Sequence, residues 1–380
     1  DADGSLWVGS EGSGLSRLVA DAGTFQHFAH SSSDASTISS NRVASLFRDG
    51  AGRLWAGTTH GLNLVDHVSG RVVRYAHDAA DASSLGGNDV TTIYEDRGGL
   101  LYVGTKTRGL DKWDPRAGSE AFEVAAAITG TSQRQPNVTS FVEDDAGTLW
   151  VGTFGDGLNA VDRKNGDVVR YRNDPTSLYR IEDDRVMSLM RDREGRIWVG
   201  TMTSGVNRID PEAGEYRVFR HDPDDPNSLS ANGIMALFED RAGRVWVGTF
   251  GGGISRFDPR TEEFMRFDSN AAESLSTSSD RITSFAEDAF GQIWIGTEGG
   301  GLNLFDPKTG RFYQFRHDPE NPETLAADTV YSLTVDAAGT LWVGTHGGGL
   351  DRVTGDLQRP STIRFQNISQ KDGLANDVVY

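Results

Sequence analysis

The sequence of 380 residues contains no cysteine, which excludes disulfide bonds and thiolate chemistry but leaves the cellular compartment open. Long apolar runs are also missing. The most apolar stretch, residues 121–128, is interrupted by Glu123 and is far shorter than the roughly 20 residues that span a bilayer. No membrane segment is therefore predicted. The chain begins at Asp1 without a methionine or a leader-like segment, from which we expect an excised or processed piece of a longer protein.

Positive charge is scarce as well. Lysine and arginine number 37 against 55 aspartates and glutamates, and the net charge of -18 is spread along the whole chain. A protein that binds phosphate backbones needs a basic stripe, whereas no run of Lys and Arg here exceeds a local pair. Nucleic acids and anionic membrane surfaces are thus excluded as partners.

Glycine, in contrast, is abundant, with 46 residues that recur at fixed places. Self-comparison finds a Leu-Trp-Val-Gly-Thr-like motif eight times, about 48 residues apart. Its aromatic residue lies at Trp7, Trp55, Tyr102, Trp150, Trp198, Trp246, Trp294 and Trp342. This period is typical of propeller blades, each made of four strands.

One unit shows the four strands. Residues 281–288 alternate small with large side chains, and residues 292–297 form a second apolar stretch after a Phe-Gly break. Glycine-rich and Asp-Pro turns then lead into residues 302–306 and 311–315. A longer link follows, as expected for a chain that returns from the outer edge of one blade to the axis. We therefore expect four antiparallel strands, innermost to outermost in chain order.

The innermost strands alternate small residues with large ones. Ser284 is followed by Phe285, and the same pairing recurs in the other units. Radially arranged blades pack the large face of one against the small face of the next, so the repeated Trp is assigned to this core. The Asp-x-x-Gly before each Trp could be a calcium loop, but turn chemistry, with Asp bound to its own backbone and Gly at positive φ, is favoured.

These observations predict an all-β fold, a β-propeller of four-stranded antiparallel blades that occupies residues 1–380 as a single domain. The first unit lacks its innermost strand, and the last residues, 376–380, resemble the start of one. We expect them to pair with residues 6–10 and close a ring of eight blades without a bare sheet edge. A seven-bladed ring or an excerpt of a longer array remains an alternative.

The full pattern runs Asp-x-x-Gly-x-Leu-Trp-Val-Gly-Thr, Gly-Gly-Gly-Leu, Asp-Pro-x-Thr-Gly-x-Phe and Arg-His-Asp-Pro-x-x-Pro-x-(Ser/Thr)-Leu, most complete over residues 217–249 and 292–345. It resembles the two-component regulator propeller repeat. The resemblance implies the extracytoplasmic sensor region of a bacterial hybrid histidine kinase or diguanylate cyclase, a periplasmic location, and partners among the other domains of its own receptor. The third unit departs from the pattern, since Tyr102 replaces Trp and residues 119–136 lack the His-Asp-Pro link.

Candidate ligand-binding residues occupy the glycine-rich loops after the second strands, where the residues vary within a repeating frame. They are Glu11, His60, Lys106, Arg108, Phe154, Asp156, Met202, Phe250, Glu298 and His346. In a closed ring they form a charged arc and an apolar arc, which suits a sugar with polar edges and an apolar face. The alternative is that the residues of exposed loops vary without a functional reason.

Three arginines that enter innermost strands, Arg42, Arg185 and Arg281, are added as candidates for holding an anionic group, with pairing to neighbouring Asp184 or Asp280 as the alternative.

Four of the eight histidines, His30, His77, His221 and His317, recur at one position of the outer link and are assigned a structural role. A zinc site of His60, Glu11 and His346 is considered but not predicted, because the three come from different blades. No metal or other cofactor is predicted.

Three functions from different classes follow. The leading one is a non-enzymatic, ligand-sensing propeller for a small molecule, by family resemblance a carbohydrate. A protein-interaction or dimerisation scaffold, including a homodimer, is the second. A propeller lyase or glycosidase is the third, although no paired carboxylates or oriented base unique to one blade support it.

Overall fold

The computed structural model describes residues 5–19, 24–66, 69–117, 121–124, 137–269 and 276–380. Their regular structure is strand apart from two short 3-10 helices, Pro360–Thr362 and Gln370–Asp372. None of the helices in these ranges is long and apolar enough to cross a membrane. The departure predicted for residues 119–136 lies, apart from residues 121–124, outside the described residues.

The chain divides into two compact units, residues 1–186 and 187–380. The first unit contains one three-stranded sheet, β1 to β3, and three four-stranded sheets. Its strands are β1 (Leu6–Ser10), β2 (Gly14–Val19), β3 (Thr24–Phe28), β4 (Val43–Arg48), β5 (Leu54–Thr58), β6 (Gly61–Val65), β7 (Val72–Tyr75), β8 (Val90–Glu95), β9 (Leu101–Thr105), β10 (Gly109–Trp113), β11 (Glu123–Val124), β12 (Asn137–Glu143), β13 (Thr148–Phe154), β14 (Leu158–Asp162) and β15 (Val168–Tyr171).

The second unit contains four four-stranded sheets. Its strands are β16 (Val186–Arg191), whose first residue closes the first unit, β17 (Ile197–Thr201), β18 (Val206–Asp210), β19 (Glu215–Phe219), β20 (Ile234–Glu239), β21 (Val245–Thr249), β22 (Ile254–Asp258), β23 (Glu263–Phe267), β24 (Ile282–Glu287), β25 (Ile293–Thr297), β26 (Leu302–Asp306), β27 (Arg311–Phe315), β28 (Val330–Val335), β29 (Leu341–Thr345), β30 (Leu350–Thr354) and β31 (Arg364–Ile368).

The fold is an all-β propeller of eight antiparallel blades, seven of them four-stranded and the first three-stranded in the residues described, which confirms the predicted fold class. The predicted strands of one unit are found as β24 to β27, hydrogen-bonded in chain order. Within each unit the first strands of successive sheets pack together, β4 on β8 in the first and β20 on β24 in the second, so the first strand of a blade is its innermost. The pairing of residues 376–380 with residues 6–10 stays a prediction.

The glycine of each Trp-Val-Gly motif lies where the next blade comes closest. A Cβ added to Gly248 would lie 2.7 Å from Cγ2 of Ile282 and 2.9 Å from Cε2 of Phe285 on the following innermost strand. A Cβ added to Gly57 would likewise lie 2.6 Å from Cγ1 of Val90. The large innermost side chains therefore pack against the preceding blade, as the alternation of small and large residues predicts.

The repeated Trp is a core residue, as expected: Trp55, Trp198, Trp246 and Trp294 are fully buried. Its indole N–H donates to the Asp of its own Asp-x-x-Gly turn, for example from Trp246 Nε1 to Asp240 Oδ2 at 2.8 Å. The turn glycine of that motif, Gly243, has φ of 79°. These contacts confirm the turn interpretation of the motif.

Two further contacts join neighbouring blades within a unit. The glutamate that ends an innermost strand accepts the N–H of the residue after the preceding blade's turn Asp, for instance Glu287 from Arg241 at 2.8 Å. At the outer edge, the carbonyl of Asn227 in a link accepts the N–H of Phe264 on the next blade's outermost strand at 2.7 Å. This bond covers part of an edge that would otherwise carry unpaired backbone groups.

We predict that Asp240→Ala destabilises the protein far more than Asp258→Ala. The buried Asp240 carboxylate accepts the N–H groups of Ala242 and Arg244 at 3.0 Å besides the Trp246 indole, and each buried donor left unpaired costs about 1–3 kcal/mol. Asp258, on an exposed outer turn, accepts the Arg260 N–H at 2.9 Å, and its loss should cost less than about 1 kcal/mol. Urea denaturation measures both; equal losses would contradict the role of the indole bond.

Ring closure predicts a specific cross-link. By equivalence with the pair Val330 and Thr345, Val379 should lie opposite Ser10, and opposed strand residues have Cα atoms about 4.5–5.5 Å apart, within disulfide reach. Since the chain has no other cysteine, Ser10→Cys with Val379→Cys should form an intramolecular disulfide under mild oxidation, visible as a mobility change on non-reducing gels. Ser10→Cys with Asp356→Cys, on an outer turn, is the control. A chain that stays reduced in both pairs would argue against closure.

Candidate functional site

Seven of the eight glycine loops, all except that of the third blade, are each fixed by an Asn or Asp of the following inner link in the residues described. The carbonyl oxygen of Asp280 accepts the N–H groups of Gly251 and Gly253 at 2.8 and 3.0 Å, and its Oδ1 accepts the N–H of Ser269 at 2.8 Å. One residue thus connects a glycine loop, an inner link and an outer link. A glycine is required at position 253, because its φ is 73° and an added Cβ would lie 2.3 Å from the carbonyl oxygen of Phe267. Equivalent residues are Asn41, Asn88, Asp184, Asn232, Asp328 and Asp377.

The glycine loops and the Asp-x-x-Gly turns lie at opposite ends of the second strand, since that strand begins after the turn and ends before the loop. Nine of the candidate residues are exposed at the glycine-loop end. They are Glu11, His60, Lys106, Arg108, Phe154, Met202, Phe250, Glu298 and His346. The tenth, Asp156, departs from this arrangement: it is 1% exposed and forms an ion pair with Arg172. Its carboxylate is therefore part of the frame.

In the first unit, two of the three candidate arginines carry carboxylate partners. Glu11 pairs with Arg42 of the next innermost strand at 2.6 Å, and both side chains are well exposed. Arg185 lies beside Phe154 in a β-bridge and binds both carboxylate oxygens of Asp183, at 2.8 and 3.0 Å. Phe154 keeps 39% of its surface exposed.

In the second unit, Phe250, Arg281 and Glu298 form one cluster. The guanidinium carbon of Arg281 lies 4.4 Å from the centre of the Phe250 ring, and Nη1 of Arg281 is 3.1 Å from Oε1 of Glu298. Phe250 remains 49% exposed although the guanidinium covers one ring face. The cluster offers an apolar ring, a cation and an anion side by side.

Further along the second unit, the rings of His346 and Tyr331 are in an edge-to-face arrangement with their centres 5.3 Å apart. The rings of Tyr331 and Tyr380 are stacked with their centres 5.1 Å apart. Sequence reasoning missed both tyrosines. Tyr331 lies on the innermost strand β28, where another unit carries Thr283, and Tyr380 has the equivalent place in the repeat; their spacing from His346 in the chain gives no local signal.

The alternative that these arginines pair with nearby carboxylates is confirmed, but the carboxylates named in it are wrong. Arg185 pairs with Asp183 instead of Asp184, and Arg281 pairs with Glu298 instead of Asp280. The reason is that the two predicted partners are used elsewhere, since Asp184 and Asp280 accept backbone N–H groups of the glycine loops and outer links.

The histidines of the outer link are structural, as predicted. Nδ1 of His221 lies 2.7 Å from the carbonyl oxygen of Leu229, and its backbone N–H donates to Asn232 Oδ1 at 2.7 Å. His30, His77 and His317 repeat both contacts. Among the residues described, no group of three or more His, Cys, Asp or Glu side chains is arranged to hold a metal ion.

A repeated set of buried polar residues behind the glycine loops was also missed. In five blades the side chain two residues after the loop accepts a backbone N–H of the inner link, such as Asn303 from Ser278 at 2.9 Å. Two blades carry aspartate there, namely Asp111 and Asp351, of which Asp351 has no exposed surface. Burial raises the pKa of Asp111 to about 6 and that of Asp351 to about 7.

A pH dependence follows. Because the pKa of folded Asp351 lies above the value of about 4 of an unfolded Asp, its ionisation lowers stability progressively as the pH rises from about 4 through 7. Asp351→Asn, which introduces the residue of four other blades, should therefore raise the melting temperature more at pH 8 than at pH 5. Calorimetry at both pH values measures this. The same gain at pH 5 and pH 8 would rule out a titrating Asp351.

The architecture places the chain among the β-propellers, and sequence comparison specifies which. Segments 37–60, 84–107, 132–155, 181–203, 228–251, 276–299 and 324–347 match the two component regulator propeller. The chain belongs to this family of repeats. Comparison with curated proteins finds no match.

Solved structures share the fold. The extracellular domain of a hybrid two component system from B. thetaiotaomicron is 22% identical with a TM-score of 0.52, and the alignment covers 97% of this chain and 45% of that domain. Virginiamycin B lyase from Staphylococcus aureus is 11% identical with a TM-score of 0.55, covering 87% and 99%. PorZ, a surface component of the type-IX secretion system of Porphyromonas gingivalis, is 17% identical with a TM-score of 0.54, covering 98% and 58%. The chain thus spans less than half of the B. thetaiotaomicron domain.

Proposed function

We propose that the protein is the ligand-sensing part of a bacterial extracytoplasmic receptor, and that it binds a small carbohydrate or related molecule at the glycine-loop end of its blades. The observation that carries the proposal is the contrast between the two ends. The Asp-x-x-Gly turns repeat the same contacts from blade to blade, whereas the glycine loops present nine exposed side chains of different chemistry on a fixed backbone.

The exposed residues suit a sugar. Phe154 in the first unit and Phe250 in the second each offer apolar surface for a ring face, and Glu298 in the cluster of Phe250 is placed to bind hydroxyls. Pre-formed ion pairs fix these side chains before a ligand arrives, which lowers the conformational entropy lost on binding.

A location outside the cytoplasm and a non-enzymatic role are part of the proposal. Both are supported by membership of the regulator propeller family and by the likeness to an extracellular domain of a two component system. The likeness to a lyase concerns the fold alone, and the ion pairs at the glycine loops involve carboxylates already bound to arginines.

The test is calorimetry of the chain against a panel of oligosaccharides, repeated with Phe250→Ala and Arg108→Ala. Loss of an exposed aromatic contact should weaken binding about tenfold, or about 1.4 kcal/mol. Phe290→Ala is the matched control, because Phe290 is 43% exposed but lies on an Asp-x-x-Gly turn at the other end of its blade. If a ligand binds and neither variant weakens it, the glycine loops are the wrong place.

One observation favours a protein-interaction module as a second candidate. Leu178 is 95% exposed and the neighbouring Tyr179 51% exposed in an outer link where the equivalent residues are Pro226 and Asn227. Exposed apolar residues of this kind are typical of protein contacts. Failure of every oligosaccharide to bind would place this candidate first.

A further inference from the structure

The third blade differs from the others at its glycine loop. Three loops read Gly-Gly-Gly, at residues 251–253, 299–301 and 347–349, whereas this one carries Lys106 and Arg108, and Arg108 occupies the position of Gly252. An added Cβ at Gly252 would lie 2.6 Å from the carbonyl oxygen of Ser230 and 2.8 Å from Cβ of Ala231, so in that blade the inner link leaves no room for a side chain there.

The inner link of the third blade supplies that room. It contains Gly86 and Gly87, whereas the equivalent pairs elsewhere all carry side chains, for example Ser39 and Ser40. A Cβ at Gly87 would lie 3.0 Å from Cγ and 3.1 Å from Cβ of Arg108, closer than ordinary van der Waals contact. A large residue in the loop is therefore accompanied by a glycine in the link, and the aliphatic part of the Arg108 side chain packs against that glycine.

The charge of Arg108 is also distinctive. Arg42, Arg185 and Arg281 are each paired with a carboxylate, whereas in the ranges that the structure describes the guanidinium of Arg108 forms no hydrogen bond or ion pair. Nζ of the adjacent Lys106 lies 3.9 Å from Asp89, the limit of an ion pair. In a chain of net charge -18, two cations with one distant carboxylate make a local positive site.

We infer that Lys106 and Arg108 form an anion-binding subsite, and that the ligand is an acidic sugar carrying a carboxylate or a sulfate ester. The inference rests on the proposed function and specifies its ligand class. A planar guanidinium binds such groups through two parallel hydrogen bonds, and Lys106 adds a second charge without a geometric requirement. The cation unpaired in the free protein is thereby paired in the complex.

The experiment compares matched ligands. Calorimetry of the chain is carried out with oligogalacturonates, their neutral methyl esters, and a sulfated galactan oligosaccharide. We expect an acidic sugar to bind and its neutral counterpart to bind at least about tenfold more weakly, with affinity falling as salt is raised. The carboxylate and sulfate arms identify which acid group is recognised.

Variants locate the effect. Arg108→Gln should weaken the acidic ligand about tenfold or more and abolish the preference over the neutral one, while Arg108→Lys should restore part of it. Gly87→Ala keeps the charge but displaces its stem, and should reduce the preference while the melting temperature changes little. Arg116→Gln, which removes the same charge from the Asp-Pro turn of the same blade, is the control and should have no effect.

The outcomes separate the two proposals. Binding of neutral and acidic sugars with equal affinity, or an acidic preference that survives Arg108→Gln, would overturn the subsite and leave the sensing function standing. If no sugar of either kind binds, both fail. A preference that Arg116→Gln reduces as much as Arg108→Gln does would show a general effect of net charge, and would also overturn the subsite.

Discussion

The structure depends on the close approach of neighbouring blades. At the glycine of each Trp-Val-Gly motif, the next innermost strand comes so near that even a methyl group would meet its Val or Ile, as at Gly57, Gly248 and Gly296. A single blade cannot bury its apolar face without this neighbour. The other repeated features serve the same contact, since the buried Trp fills the space beside it and the Glu at the strand end binds the preceding turn.

Sequence reasoning could predict most of this frame. Strands β24 to β27, the indole-bonded turns and the structural histidines are each specified within a few residues, by alternation, by turn chemistry and by repetition. The ion-pair partners of side chains at the loops were harder to predict. Arg281 pairs with a residue 17 positions away, and which carboxylate it meets depends on how the glycine loop of its own blade lies beside the start of the innermost strand. No local pattern encodes that geometry, and the buried position of Asp156 was missed for the same reason.

The arrangement also explains how one frame can accommodate different ligands. The residues that fix a glycine loop act through backbone groups, as Asp280 does with Gly251 and Gly253. Loop side chains can therefore change without loss of the loop, provided that the adjoining link leaves space for them. Gly87 beside Arg108 shows that this space is a second, coupled requirement. A change of specificity in such a protein needs paired substitutions, one in a loop and one in the inner link of the same blade.

The tryptophans have a spectroscopic consequence. Seven of the eight occupy the repeat position at the turn end of a second strand, and the eighth, Trp113, packs against Trp55 with ring centres 5.3 Å apart. Trp246 precedes the exposed Phe250 by four residues, or about 13 Å of extended strand. Indole emission will consequently report the unfolding of the blades, yet it will be nearly blind to a molecule that docks on the glycine loops. Occupancy of those loops has to be followed by heat, by a labelled ligand or by a probe attached there.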